Sequence, residues 1–307
     1  VPINSNQSQW LRGWIRAALI SAAAWLPLSA QALNIFACEP EYAALAKALA
    51  PNAEVFSATS AMQDPHHVQA RPSLIAKLRN ADLAICAGAE LEVGWLPMLQ
   101  MKANNPQVRD GKPGMLYAAD YVEAIGKLDQ IDRTMGDVHA SGNPHFHFSP
   151  TRIAQIAAAI SDRLILLDGA NADHYRQQQQ QFRDRWQAAQ QRWQQQAAPL
   201  AGIKVIAYHS NFAYLFDWLG IEQIGDLEPK PGLPPTTSHL SQLLALSKQQ
   251  TVTAVIYNGY QDPRGVDWLS QRTGIPAVRL PYGPGVDGID DLAALYDRVI
   301  ADLLALL

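Results

Sequence analysis

Two runs of alternating apolar and helical segments are separated by a long stretch with no convincing strand, from Pro150 to about Ala198, and that interruption constrains the fold most. Before it, "NIFAC", "AEVFSAT" and "DLAICAG" read as short buried strands, with helical segments such as "PEYAALAKALA" and "PSLIAKLRNA" between them. After it, "KVIAYHS", "IEQIGDL", "VTAVIYNG" and "PAVRLPY" repeat the rhythm. Strands that alternate with helices pair in parallel and are covered on both faces, so each run predicts a parallel sheet flanked by helices. The interruption itself reads as two helices broken near Gly169. In the second, Tyr175, Phe182, Trp186, Ala189 and Trp193 recur at three- and four-residue steps and form one apolar seam, while glutamine fills the solvated face. The expected architecture is α/β in two lobes, 33–167 and 201–307, joined by a long rigid interlobe helix within 168–200. A continuous helix between lobes is stiff, which disfavours large hinge closure.

Residues 1–32 stand outside that pattern. Arg12 and Arg16 precede "AALISAAAWLPL", an apolar run short for a bilayer span, and "AQA" at Ala30–Ala32 offers the small residues that a signal peptidase reads. A signal peptide cleaved after Ala32 is expected, with an uncleaved N-terminal anchor as the alternative. Net charge is -4 and no block of like charges occurs, so nucleic acid is not an expected partner. Export bears on the two cysteines. Cys38 and Cys86 end two of the buried strands, whose C-terminal ends can lie side by side, so a disulfide is expected. Otherwise they are two small buried hydrophobes.

Of eight histidines, six fall in three short stretches. "DPHHVQARPS" carries His66 and His67, "GDVHASGNPHFHFSP" carries His139, His145 and His147, and "VIAYHSNFAYLF" carries His209. Each is a loop or strand end, where an α/β fold exposes functional side chains, and proline fixes the backbone just before His66 and His145. One such histidine means little, but three such loops together point to a metal site. His174 and His239 lie on predicted helices and are read as ordinary side chains.

The loops resemble a known family. "DPHHVQARPS", "GNPHFHFSP" and "YHSNFAYLFDWLGI", in this order and with "GAELEVGWLP" between the first two, are similar to the metal-site segments of zinc- and manganese-type (cluster A-I) solute-binding proteins of bacterial ABC importers. The resemblance implies a periplasmic receptor, a monomer and not an enzyme. It implies that His66, His145 and His209 hold the ion and that the ion passes to a permease in the inner membrane. Imidazole donors suit zinc better than manganese, which prefers oxygen, so Zn(II) is the expected cargo. His67 and His147 are alternates in their loops, and His139 is placed at the cleft rim. The family's usual acid from the C-terminal lobe is missing. Tyr282 stands about where it is expected, Asp287 is the nearest loop carboxylate, and Asp290 reads as the start of the following helix. Water is the expected fourth ligand and Asp287 the alternative. No histidine-rich loop precedes the second motif, since Met101 to Val138 contains no histidine.

A secreted zinc hydrolase could use the same three histidines with water in the open position. No H-E-x-x-H motif is present, and Asp64 and Glu90 are the only acids near the loops that could act as its base. A metal-dependent adhesin would share fold and ligands.

Overall fold

The computed structural model describes residues 32–128 and 135–307. The proposed signal segment falls almost wholly outside the described residues. In the first lobe β1 (Asn34–Ala37), β2 (Glu54–Ser57), β3 (Leu83–Cys86) and β4 (Met115–Tyr117) form one sheet in the order β2-β1-β3-β4. In the second, β5 (Lys204–Ala207), β6 (Glu222–Asp226), β7 (Ala254–Tyr257) and β8 (Ala277–Arg279) follow the matching order β6-β5-β7-β8. All six pairings are parallel. The central strands are apolar beyond the first residues of β1 and β5, Asn34 and Lys204, because helices cover both faces, as the continuous runs in the sequence predict.

The first lobe carries α1 (Pro40–Leu49), α2 (Pro72–Arg79) and α3 (Leu96–Ala103), each with proline in its first turn, where a missing N–H costs nothing. Then come α4 (Pro150–Leu167) and α5 (Ala172–Gln196), broken by a short turn at Gly169–Asn171. Ser149 caps α4 by accepting the Arg152 N–H at 3.4 Å. The second lobe carries α6 (Ala213–Leu219), α7 (Thr237–Gln249), α8 (Pro263–Thr273) and α9 (Leu292–Leu304).

The buried residues of α5 are Tyr175, Phe182, Trp186, Ala189 and Trp193, the five positions of the seam. They join Ile35 and Leu83 of one sheet and Val205 and Ile256 of the other in a single apolar core. Trp193 stacks on Tyr296 of α9 at 4.8 Å, and its indole N–H donates to Asp297 at 2.6 Å. Trp186 donates to the Pro150 carbonyl at 2.8 Å, which pins α5 to the start of α4. The long helix is therefore packed against both lobes rather than strung between them.

Cys38 and Cys86 are joined in a disulfide, as expected, with Cα atoms 4.8 Å apart. One lies just beyond β1 and the other ends β3, strands that are neighbours in the sheet. The helix after β8 starts one residue later than the sequence reading has it. Asp291, not Asp290, caps α9 by accepting the Ala294 N–H at 2.8 Å.

Candidate metal centre

Two of the histidine loops are built the same way. In "DPH" the Asp64 carboxylate accepts the His66 backbone N–H at 3.0 Å, and in "NPH" the Asn143 side-chain oxygen accepts the His145 N–H at 2.9 Å. An acidic or amide side chain that bonds the backbone two residues on closes an Asx turn, and the proline between restricts its middle. The sequence thus fixes where each imidazole leaves the chain. The Pro65 carbonyl accepts the Trp95 indole N–H at 2.9 Å, which seats the first loop on α3. The Asn143 amide donates to the Ser210 carbonyl at 2.8 Å and its carbonyl accepts the Tyr214 hydroxyl at 2.7 Å, which ties the second loop to the second lobe. His209 needs no such turn, because it sits two residues beyond the end of β5.

These elements bring His66, His145 and His209 together. Their ring centroids form a near-equilateral triangle with sides of 5.8, 6.0 and 5.8 Å. One ligand atom from each lies within 4.8 Å of the others. The Nδ1 of every ring has an oxygen partner: Asp64 at 2.7 Å from His66, Glu228 at 2.7 Å from His209 and the Tyr282 hydroxyl at 2.9 Å from His145. A carboxylate accepts only, so Nδ1 of His66 and of His209 carries a proton and Nε2 is the nitrogen left for an ion. Such an arrangement can hold a divalent ion through nitrogen.

The electrostatics agree. His145 is buried, and that burial, followed by the His66 and His209 rings beside it, holds its pKa well below the ordinary histidine value. It stays neutral, the only form that can ligate. Burial works to raise the Asp64 carboxyl, but the hydrogen bonds and charge of His66 outweigh it and the group sits below its ordinary value. Burial pushes the Tyr282 phenol well above its ordinary value, so the His145 ring meets a neutral partner.

The remaining expected residues are placed differently from one another. His139 approaches the cluster, with Nε2 3.1 Å from Nε2 of His66. His147 does not: it lies 2.9 Å from Glu41 through Nδ1 and 3.0 Å from the Tyr282 carbonyl through Nε2, which spends both nitrogens away from the triangle. His67 stands on the rim, 68% exposed and 3.5 Å from Asp137. Asp287 is paired with Arg279 at 3.2 Å and takes a left-handed φ of 54° in its glycine-flanked turn. His239 donates through Nε2 to the Asp226 carbonyl at 2.7 Å, and His174 stands on α5; neither belongs to the cluster. Glu228 has no signal in sequence, being 19 residues from the ring it touches. Asn211, whose amide lies 3.4 Å from Nε2 of His145, was equally unmarked.

The cleft beside the triangle has a volume of about 140 Å³ and is lined by Asp64, Asp137, Glu228 and Asp262 among others. The hydrolase alternative gains no support here. Asp64 is engaged by His66, and the Glu90 carboxylate is held by the Ser141 hydroxyl at 2.5 Å and its N–H at 3.2 Å.

The family model of the periplasmic zinc-uptake complex component A, ZnuA, matches residues 35–303. The chain is 24% identical over 235 residues to the high-affinity zinc uptake system protein ZnuA of Yersinia pestis, covering 72% of this chain and 74% of that protein. It is also 24% identical over 228 residues to the manganese ABC transporter substrate-binding lipoprotein PsaA of Streptococcus pneumoniae, covering 73% of this chain and 70% of that one. A crystal structure of ZnuA matches with a TM-score of 0.70 at 22% identity, over 88% of this chain and 98% of that one. The Mn-bound periplasmic metal binding protein from Candidatus Liberibacter asiaticus matches with a TM-score of 0.72 at 16% identity, over 89% and 99%. Likeness at these identities establishes the two-lobe fold.

Proposed function

The chain belongs to the family of the periplasmic zinc-uptake complex component A, and from that membership we propose that it is the zinc receptor of an ABC importer. The family is one of metal-binding solute receptors of the periplasm rather than of enzymes. In this reading residues 1–32 are the signal peptide, the lobes are 33–167 and 201–307, and the mature protein works as a monomer. Zn(II) is held by His66, His145 and His209 and is handed to a permease of the inner membrane. His139 is the side chain placed to complete four ligands, with water as the other occupant; the pairing of Asp287 with Arg279 argues against Asp287.

One observation carries the choice of metal. Three rings converge through nitrogen, and no carboxylate oxygen joins them in the cluster among the described residues. Manganese favours oxygen donors, whereas zinc accepts an all-imidazole shell. Relatives of both kinds, one named for zinc and one for manganese, are 24% identical to the chain, so the donor set is what favours zinc. The test is competition: metal-stripped protein is titrated with zinc and with manganese against a chromophoric chelator. One equivalent of zinc should bind and should displace manganese at equal concentration. Manganese held in preference would reverse the assignment.

A further inference from the structure

A divalent ion held only by neutral imidazoles keeps its whole charge, and a partly enclosed cleft stabilises such a charge poorly unless opposite charge lies nearby. Resting on the zinc reading above, we propose that Asp64 and Glu228 are positioning residues that deliver this charge through the His66 and His209 rings, and that they set the preference for zinc over manganese.

The geometry is matched on the two sides of the cleft. Each carboxylate lies 2.7 Å from an Nδ1, which leaves Nε2 of that ring for an ion. Each is fixed by a second bond to backbone: Asp64 by the His66 N–H at 3.0 Å, Glu228 by the Gly232 N–H at 3.0 Å. In each case one oxygen makes both bonds, Oδ1 of Asp64 and Oε2 of Glu228, so both are aimed at their rings before an ion arrives. Glu228 is largely shielded, with its side chain 13% exposed, while Asp64 is 40% exposed at the cleft mouth. The third ring meets the Tyr282 phenol instead. Two carboxylates and three neutral rings thus balance one divalent ion. One carboxylate comes from each lobe, so the compensation is assembled only where the lobes face one another.

The consequence for selectivity follows from how the charge arrives. A carboxylate that draws on the Nδ1 proton makes Nε2 a stronger electron donor, which rewards zinc more than manganese. The sequence departure at Tyr282 fits this arrangement, since a directly bound acid from the second lobe would add a third negative charge.

The test uses Asp64→Asn and Glu228→Gln, which keep an oxygen acceptor in place and remove only the charge. Zinc and manganese affinities are measured by chelator competition, with thermal unfolding of the metal-stripped variants as the folding control. Each variant should lose about 10- to 100-fold in zinc affinity, and the zinc-to-manganese affinity ratio should fall, with unfolding unchanged. Zinc affinity within about twofold of wild type, or equal losses for both metals, would overturn the proposal. A purely structural role would lower the unfolding temperature and leave the ratio alone. Zinc-edge X-ray absorption on the wild type separates the two claims: a shell without imidazole nitrogen sinks the zinc reading itself, whereas an imidazole shell with unaffected variants sinks only this inference.

Discussion

The two lobes share a strand order, and so they place the same point of the chain at the same point of the fold. In each sheet the order reverses beside the first strand, between β1 and β3 and between β5 and β7, where an open α/β sheet has its natural crevice. The residue two positions past that first strand is Glu39 in one lobe and His209 in the other. The residues before them make equivalent bonds: Cys38 N–H to the Ile85 carbonyl at 2.8 Å, Tyr208 N–H to the Ile256 carbonyl at 2.7 Å. Beyond that the chemistry diverges. In the first lobe the Cys38–Cys86 disulfide spans the crevice, and Glu39 is wholly buried, its carboxyl held well above the ordinary value by burial and by the Glu92 and Glu41 charges. In the second, His209 opens onto the cleft with its ring oriented by Glu228. Topology supplies the position twice; side chains seal it in one lobe and leave it open to a cleft in the other. The first lobe then offers its histidines from the Asx-turn loops that follow β2 and β4.

If the first crevice is sealed and structural, breaking the seal should cost stability and leave metal binding intact. Replacing both cysteines, Cys38→Ser with Cys86→Ser, opens a loop with a separation of 48 residues. The chain-entropy account puts the loss at about 4 kcal/mol, read by chemical denaturation, with zinc affinity unchanged. If the second crevice is the functional one, His209→Ala should have the reverse signature. Losing a ligand should cost more than the roughly 100-fold that losing a ring's outer partner can cost, in a protein of near wild-type stability, while His174→Ala changes neither.

A smaller effect concerns the sealed side's pH response. Burial raises Glu92 to about 7 against the Ala87 and Gly88 N–H groups that favour its charge. A carboxyl whose folded pKa lies above the unfolded one binds more protons when folded. Its contribution is therefore full at pH below about 4.5 and is lost as pH rises through about 7. The Glu39 carboxyl, itself raised by burial and by the Glu92 charge, titrates together with it, so the expected difference between wild type and Glu92→Gln is only about 1–2 kcal/mol across that window. It should shrink with rising pH in denaturation series on metal-stripped protein; a difference that grows with pH would show that Glu92 is ionised throughout. Smallest of all, Asp287→Ala removes an exposed ion pair with Arg279 and should change zinc affinity by less than about twofold.

Much of this contrast was legible in the residues. Buried parallel strands are continuous apolar runs, so "NIFAC" and "DLAIC" announced both the first sheet and the two cysteines at its crevice. The α5 seam was legible because aromatic residues at helical spacing have no other use on so polar a helix. The histidine loops stood out because proline precedes His66 and His145. What was not legible depends on distant partners. Glu228 reaches His209 from the far end of β6, and His147 turns from the cleft because Glu41 and the Tyr282 carbonyl claim its nitrogens. Asp287 pairs with Arg279, eight residues back, a partner that its glycine neighbours do not announce. No local pattern encodes such pairings.

The central claim is that the sealed first lobe and the open second lobe meet around one nitrogen-bound zinc. Zinc-edge X-ray absorption on stoichiometrically loaded wild type and His209→Ala measures this directly. The account predicts three or four imidazole nitrogens at about 2.0–2.1 Å in the wild type, with one imidazole lost in the variant. A shell dominated by oxygen or sulfur, or one that His209→Ala leaves unchanged, would contradict it.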